Sequence, residues 1–492
     1  MLVLLGLLLG ATRAALVPEP QNVPVPIDST PRTAREAVAL APGRIVSRVT
    51  SMANPKQQYA VYLPSGYRTD RTWPLLILMD PRGRALIPLE EAQEVAERLG
   101  WMVLSSYGSR SDVAVDPNAD AVNAMISDAE DLLALNRQRL YLSGFSGTAR
   151  VNWIFGYRLK GYVAGLIGFG AGFPGDFQFS YRPEGTRPPL VFFGGVGNTD
   201  FNFDEMRRVD STLDAVNLPH RIAYYDGPHR WGPTAAMVEG IEYMELQAMR
   251  FGLRSVDSAW VTANYQTDLA RAAAIRDSVP YEALLRYRAI VADYKGLRET
   301  PEASAAVDQL KDNPAARKTG SRLARIGAWQ KAYTDKLAAF LGEYRTAPIE
   351  PLSKSLARLE IRTLMRQAAD SSDPLEMQSA QRALAHVMSY TAFYEPEDYF
   401  ARQDPSRALA LLSIAAVVEP TDPYVCYSRA KALTLLARPA EAVTALDCIA
   451  EARWASAERL ERDPSFAPLK DEPGFKALLA RLRVRVPADS IM

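Results

Sequence analysis

The sequence predicts an α/β fold, a largely parallel β-sheet with helices on both faces, followed by an all-α helical-repeat domain. Two observations predict it. Short apolar segments alternate with helical stretches between residues 43 and 252. Beyond Gly252 the strand signal disappears, and Ala, Leu, Arg and Glu recur at helical spacing. The length of 492 residues is too great for one compact core and fits two to four domains.

We divide the chain into a signal peptide (1–15), a Pro-rich linker (16–39), an α/β domain (40–252), a helical domain (253–400), and helical repeats with capping helices (401–492). The apolar run from Met1 to Ala11 is well short of the roughly 20 residues that cross a bilayer. It predicts a cleaved leader and hence a secreted or periplasmic protein. A buried N-terminal helix and an uncleaved anchor are the alternatives. No later segment predicts a membrane span.

Charge and composition exclude several functional classes. The 57 Lys and Arg balance 57 Asp and Glu, so there is no basic excess to neutralise a nucleic-acid backbone. The sequence has no phosphate-binding loop, dinucleotide fingerprint or cluster of metal ligands, so we expect no cofactor and no metal. Cys426 and Cys448 are too few for a disulfide scaffold. They could form one disulfide or remain two buried thiols.

The predicted strands of the α/β domain are short apolar runs, namely WPLLILMD, WMVLSS, RLYLSGFS, YVAGLIGFG, PPLVFFGGVG and HRIAYYDG. Helices are predicted at PLEEAQEVAERL, ended by Gly100, at AVNAMISDAEDLLALN, and through GTARVNWIFGYRLKG. The connection between Gly170 and Pro189 is rich in Gly, Pro and aromatic residues. Its length and composition suit part of a pocket rim.

The most informative segment is GFSGTAR, in which Ser146 follows a predicted strand and precedes a predicted helix. Such a turn holds a serine hydroxyl clear of the sheet, and its neighbours must be small because the backbone is crowded there. Together with LPSGY and a strand ending in Asp-Pro, this segment makes residues 50–250 resemble the α/β-hydrolase family, in its secreted esterase and depolymerase-like branch. Thr148 departs from the family pattern Gly-x-Ser-x-Gly at its second glycine. The structural alternative is an ordinary serine in a Gly-rich turn.

The resemblance implies a serine nucleophile with an acid and then a histidine further along the chain. A serine hydroxyl is a poor nucleophile near neutral pH and needs such a base. His229, in the loop GPHRWGP, is the expected base, whereas His220 opens a strand and His386 is expected to pack within the helical domain. Asp200, which ends a Gly-rich turn, is the expected acid, and Asp204 is the alternative acid.

Acyl transfer also needs two donors aimed at the developing oxyanion. The Gly147 N–H is the expected first donor, and the N–H of Arg82 or Gly83 the second, since Pro81 has none. The side chains of Arg82 and Arg84 either attract an acidic substrate or are simply solvated. Trp231, beside the expected base, either walls the pocket or caps the core.

The C-terminal helices show a regular spacing. Ala408, Leu412 and Ala415 are followed 34 residues later by Ala442, Leu446 and Ile449. This period resembles the tetratricopeptide repeat (TPR) over about 405–455. The resemblance implies a protein or peptide ligand for the repeats. Alternatively, the helical domain could cover the active site and limit substrate size.

Taken together, these patterns predict a secreted serine hydrolase that cleaves an ester-type bond in a small-molecule or polymer substrate. One alternative is a catalytically inactive hydrolase-fold scaffold, in which Thr148 marks a degraded turn and the TPR-like domain binds a protein or peptide. A serine peptidase is the other.

Overall fold

The structure is a computed structural model that describes residues 40–111, 115–174, 189–452 and 456–484. The predicted signal peptide (1–15) and linker (16–39) lie outside the described residues, as does most of the connection proposed for the pocket rim. Secretion therefore stays a prediction. Within the described part of the chain, no helix is both long enough and apolar enough to span a membrane.

An eight-stranded sheet forms the core of the α/β domain. Its strands are β1 (Ile45–Thr50), β2 (Gln58–Tyr62), β3 (Trp73–Met79), β4 (Met102–Ser106), β5 (Leu135–Phe145), β6 (Val163–Phe169), β7 (Val191–Gly197) and β8 (His220–Tyr225). Their spatial order is β1-β2-β4-β3-β5-β6-β7-β8. β2 runs antiparallel to both of its neighbours, and the other pairings are parallel. The predicted α/β class is confirmed.

Helices cover both faces of this sheet. They are α1 (Leu86–Leu99), α2 (Val115–Leu132), α3 (Gly147–Arg158), α4 (Phe203–Ala215) and α5 (Thr234–Arg250). A Cβ on Gly165 in β6 would lie 2.6 Å from Met244 in α5, whereas a Cβ on Gly156 in α3 would lie 3.2 Å from Leu166. Because neighbouring strand residues point to opposite faces, α3 and α5 lie on opposite sides of the sheet.

The C-terminal ends of α1 and α2 have different causes. Gly100 ends α1 in the left-handed region, with φ 71°, and its N–H donates to Ala96 O. The predicted helix AVNAMISDAEDLLALN is too long, since α2 ends at Leu132. Leu135 pairs with Trp73 of β3 instead, so strand pairing outweighs the helical periodicity there.

From Ser258 onward the regular elements among the described residues are helices. They are α6 (Ser258–Ala274), α7 (Pro280–Asp293), α8 (Pro301–Leu310), α9 (Pro314–Tyr344), α10 (Leu352–Arg358), α11 (Ile361–Asp370), α12 (Pro374–Met388), a π-helical turn (Ser389–Tyr394), α13 (Glu395–Ala401), α14 (Pro405–Val418), α15 (Pro423–Leu435), α16 (Pro439–Ala452), α17 (Ala457–Arg462), a 3₁₀ helix (Pro464–Leu469) and α18 (Pro473–Val484). The predicted helical C-terminal half is confirmed. Leu246 and Met249 of α5 share one apolar core with Val261 and Tyr265 of α6. This core spans the sequence position at which we placed the domain boundary.

Cys426 in α15 and Cys448 in α16 form a disulfide, with their Cα atoms 6.4 Å apart. Of the two states that the sequence left open, the structure therefore has the bridged one. Pro405 opens α14 and Pro439 opens α16, which reproduces the 34-residue period of the sequence. The likeness to TPR repeats itself stays a prediction.

Candidate active site

Ser146 lies at the tip of a strained turn between β5 and α3. Its φ of 53° and ψ of −126° belong to a region that side-chain-bearing residues rarely adopt. The turn is held by hydrogen bonds from Ser146 N–H to Phe169 O (2.8 Å) and from Arg150 N–H to Ser146 O (3.2 Å). A Cβ on Gly144 would lie 2.7 Å from the backbone nitrogen of Ala149, so glycine is required there. These features match the sharp strand-to-helix turn that the sequence predicts.

Thr148, which replaces the second glycine of the family pattern, anchors this turn. Its hydroxyl lies 2.6 Å from Met79 O at the end of β3 and 2.8 Å from Phe145 O. The same hydroxyl accepts the Phe145 N–H at 3.1 Å. The threonine thus ties the turn to the neighbouring strand, which removes the argument that it marks a degraded turn.

Ser146, His229 and Asp200 come together beyond the carboxyl ends of β5, β8 and β7. His229 Nε2 lies 2.9 Å from Ser146 Oγ. His229 Nδ1 lies 2.9 and 2.8 Å from the two carboxylate oxygens of Asp200. Asp200 is fully buried, and its carboxylate also accepts the Asn202 N–H at 2.8 Å. An imidazole is therefore held between a hydroxyl and a fixed carboxylate.

Residues without reactive groups shape this site, and sequence reasoning missed them. The His229 ring contacts both Phe145 and Phe201, with ring centroids 4.6 and 4.2 Å away. Gly170 has φ 62°, and a Cβ there would lie 2.9 Å from Asp200 Oδ2. In the sequence, Gly170 follows a predicted strand and Phe201 is next to Asp200. Neither position by itself indicates a role in the active site.

The other candidate residues lie elsewhere. His220 bonds Leu218 O (2.8 Å) through Nδ1 and Asp210 (3.1 Å) through Nε2. Asp204, the alternative acid, lies in the first turn of α4 and faces Arg382, with 3.8 Å between Asp204 Oδ2 and Arg382 Nε. Of the two acids considered, the structure brings Asp200 to His229.

The expected oxyanion donors have different surroundings. Gly147 directly follows Ser146 at the start of α3, and a Cβ there would lie 2.4 Å from Ser111 Cβ. The Arg82 N–H donates to Asp80 Oδ1 (2.8 Å), and the Gly83 N–H donates to Asp80 O (3.1 Å). To donate to an oxyanion, either N–H group would have to break its present hydrogen bond or divide it between two acceptors.

Trp231 packs in the core rather than beside the reacting atoms. It is 8% exposed, and its indole N–H donates to Asp80 Oδ2 at 2.8 Å. Burial opposes the ionised form of Asp80, but hydrogen bonds from Arg84 and Trp231 outweigh it and lower the pKa of Asp80. The sequence left two roles open for Trp231, a wall of the pocket or a cap of the core. Its buried environment fits the second role.

Arg382 of α12 connects the helical region to the turn that carries Asp200. It is 1% exposed, and its Nη1 donates to Asn198 O at 2.7 Å. Its guanidinium lies 4.7 Å from the centre of the Phe203 ring. Desolvation raises the pKa of Asp204 and lowers that of Arg382, despite the attraction between the two groups. Arg382 thus links the helical region to the turn that carries Asp200, through a buried guanidinium whose charge Asp204 balances only in part.

Replacement of this arginine tests that link. Arg382→Met is expected to lower the free energy of unfolding by about 3–5 kcal/mol, because it removes the cation that acts most strongly on the buried Asp204 carboxyl and leaves only the weaker attraction of Arg207 and Arg208. Urea denaturation followed by tryptophan fluorescence measures the change. Adding Asp204→Asn should recover part of the loss. A fully destabilised double variant would mean that the Asn198 contact, and not the charge pair, matters.

No group of three or more His, Cys, Asp or Glu side chains among the described residues is arranged to hold a metal ion. No family model and no curated protein matches the chain.

Several solved structures are similar to part of it. A ferulic acid esterase has 13% sequence identity and a TM-score of 0.33, covering 40% of this chain and 95% of its own. The fluorophosphonate-binding serine hydrolase FphF of Staphylococcus aureus has 15% identity and a TM-score of 0.33, covering 42% of this chain and 99% of its own. An esterase of Thermogutta terrifontis, Est2, has 14% identity and a TM-score of 0.33, covering 43% and 95%.

Proposed function

We propose that the chain is a serine hydrolase that cleaves ester-type bonds. The observation that carries this proposal is the hydrogen-bond path from Ser146 Oγ through the His229 imidazole to the Asp200 carboxylate. It starts at a serine whose strained turn projects its hydroxyl beyond the sheet. A base within hydrogen-bond reach of a nucleophile, itself oriented by a third group, is the arrangement that activates a hydroxyl.

In the proposed reaction, Ser146 Oγ attacks the ester carbonyl carbon while His229 Nε2 takes the hydroxyl proton. The carbonyl oxygen becomes an oxyanion, towards which the Gly147 N–H would donate. Collapse breaks the bond to the leaving alcohol, and His229 returns the proton to it. Water then attacks the acyl group on Ser146, with His229 again accepting and returning a proton. The acid leaves and the serine is restored.

Asp200 would fix the direction in which this proton moves. Its carboxylate accepts from Nδ1, which places the imidazole proton on Nδ1 and leaves Nε2 free to accept from Ser146. Because Asp200 is fully buried, its charge is little screened by water and stabilises the imidazolium that forms during attack.

We also propose that the protein works in a secreted or periplasmic setting. The apolar N-terminal run supports a leader peptide, and the disulfide between Cys426 and Cys448 suits an oxidising compartment. The substrate, a small molecule or a polymer, needs only an accessible ester carbonyl for this chemistry.

A fluorophosphonate probe tests the proposed nucleophile directly. The wild type should be labelled at Ser146, because an activated hydroxyl attacks the phosphorus centre, and Ser146→Ala should abolish labelling. Mass spectrometry of the digested protein locates the label. Ser143→Ala is the matched control, since Ser143 lies three residues earlier in β5, is fully buried, and should not affect labelling.

Labelling together with substrate assays also distinguishes the proposed enzyme from an inactive scaffold and from a serine peptidase. A folded wild type that is unlabelled, with ester and amide substrates both inert, would favour the inactive scaffold. Faster cleavage of matched peptide amides than of esters would favour the peptidase.

A further inference from the structure

Ring contacts lead from His229 into the helical region. Phe201 packs against the His229 ring on one side and contacts the His386 ring of α12, with centroids 5.6 Å apart. His386 stacks on Tyr390 at 5.4 Å with an interplanar angle of 13°, and Tyr390 contacts Tyr394 at 5.5 Å. His386 therefore packs among helical-region residues, as expected, but at the border with the candidate active site.

The contacts then return to the α/β domain at Arg82, in the loop after β3. Phe393 contacts Tyr394 at 5.1 Å, and the Arg82 guanidinium lies 5.8 Å from the centre of the Phe393 ring. Arg82 follows Pro81, whose carbonyl accepts the Ser111 N–H. Ser111 in turn lies against Gly147, the residue after the nucleophile.

These rings form a continuous series of contacts that begins at the His229 ring and ends at the Arg82 guanidinium. We call them the aromatic arch, which consists of Phe201, His386, Tyr390, Phe393 and Tyr394.

The arch has the properties of a binding surface. Its members are only partly buried, unlike the aromatic side chains of the sheet core. Tyr390, Phe393 and Tyr394 come from a π-helical turn, a rare geometry that is frequent at functional sites. Burial lowers the pKa of His386 to about 4, so this ring is neutral at neutral pH. Its buried Nδ1 has no hydrogen-bond partner among the described residues.

Arg82 gives the arch a cationic end. Its side chain is exposed, and within the described part of the chain it forms no hydrogen bond or ion pair. Arg84, two residues later, is instead bound to Asp80 through Nε (3.0 Å) and Nη2 (2.9 Å). The Arg82 guanidinium is thus available to an anion, whereas that of Arg84 is not.

We propose that the aromatic arch binds a planar aromatic group of the ester substrate and that Arg82 binds an anionic substituent on that group. This inference rests on the proposed function and names its substrate class. Aromatic faces favour flat rings in offset or edge contacts, and guanidinium groups pair with carboxylates. Phe201 contacts the His229 ring, whose Nε2 lies 2.9 Å from Ser146 Oγ, so a substrate ring bound at Phe201 would bring its ester carbonyl towards the nucleophile.

Binding to Ser146→Ala, measured by calorimetry, tests the inference without relying on catalysis. The probe is monomethyl terephthalate, which carries a flat ring, a methyl ester and a carboxylate. Two matched esters each lack one feature, methyl benzoate the carboxylate and monomethyl trans-cyclohexane-1,4-dicarboxylate the flat ring. Each should bind about tenfold more weakly than the probe. Equal dissociation constants for the three esters would overturn the inference.

Variants made in the Ser146→Ala background assign the two contacts. Phe393→Leu should weaken binding of the probe about 5- to 10-fold while leaving the cyclohexane ester unaffected. Arg82→Gln should reduce the preference for the probe over methyl benzoate by about the same factor. Arg71→Gln is the control, because Arg71 also lies over an aromatic ring, Trp73 at 3.7 Å, but at the opposite end of β3.

An equal loss for the probe and the cyclohexane ester in Phe393→Leu would show a merely structural role and contradict the inference. A wild type that prefers the probe in binding but hydrolyses no ester would refute the proposed function and still support the aromatic site. A wild type that hydrolyses all three esters equally well, without a binding preference, would refute the aromatic site alone.

Discussion

Ser146→Ala and His229→Ala are each expected to lower kcat for a soluble ester by about 10⁵- to 10⁶-fold. The reason is geometric. Ser146 Oγ and His229 Nε2 are 2.9 Å apart, so the hydroxyl is activated only while both groups are present. Steady-state hydrolysis, followed by release of acid at constant pH, measures the loss. The residual rate would reflect substrate binding and the oxyanion donors alone.

The double variant is the informative control for this expectation. Because the two groups act as one unit, the double variant should be no slower than either single variant. Additive losses would mean that the serine and the histidine work independently. Unchanged unfolding transitions in all three variants would show that the losses are catalytic. A Ser146→Ala protein that keeps more than a tenth of wild-type kcat would exclude Ser146 as the nucleophile.

Sequence patterns and the family resemblance together indicate Ser146 and His229 and leave two candidates for the acid. Ser146 is marked by the small residues that a strand-to-helix turn needs, and these are contiguous in sequence. His229 is implied by the family resemblance, which places the base in the loop GPHRWGP, and the chain has only three histidines. Asp200 and Asp204 could not be separated with certainty, because four residues of spacing do not show which carboxylate the turn directs inward. The structure makes that distinction through the Asp200–His229 contacts.

Contacts between segments that are far apart in sequence cannot be predicted from local sequence patterns. Arg382 reaches Asn198 across 184 residues, and nothing in either segment indicates the other. The same holds for the approach of His386 to Phe201. β1 and β2 are not separately identified from the sequence. β1 exposes half of its residues and gives no continuous apolar run, and the apolar run of β2, Tyr59–Tyr62, has only four residues.

The role of Thr148 was also hidden. A threonine in place of glycine indicates crowding, and only coordinates show that its hydroxyl fills the gap between β3 and the turn.

Asp200→Asn is expected to lower kcat by about 10⁴-fold while leaving the fold intact. An amide at this position can donate to His229 Nδ1, which would favour the wrong imidazole tautomer and place a proton on the nitrogen that faces Ser146. Asparagine has nearly the same size as aspartate, so packing in the buried turn is retained. Steady-state hydrolysis measures kcat, and circular dichroism with thermal unfolding measures the fold.

Asp204→Asn is the matched control, because Asp204 is also buried and lies four residues later, yet it faces Arg382 instead of His229. Its kcat should stay within about tenfold of the wild type, since the Asp200–His229 contact is untouched. Because Asp204→Asn also leaves the buried Arg382 guanidinium without its facing carboxylate, the thermal unfolding of this variant is measured beside kcat, so that a loss of stability is distinguished from a loss of chemistry. If Asp204→Asn had the larger effect on kcat, Asp204 would be the orienting acid, and the turn between β7 and α4 would have to rearrange in the active enzyme.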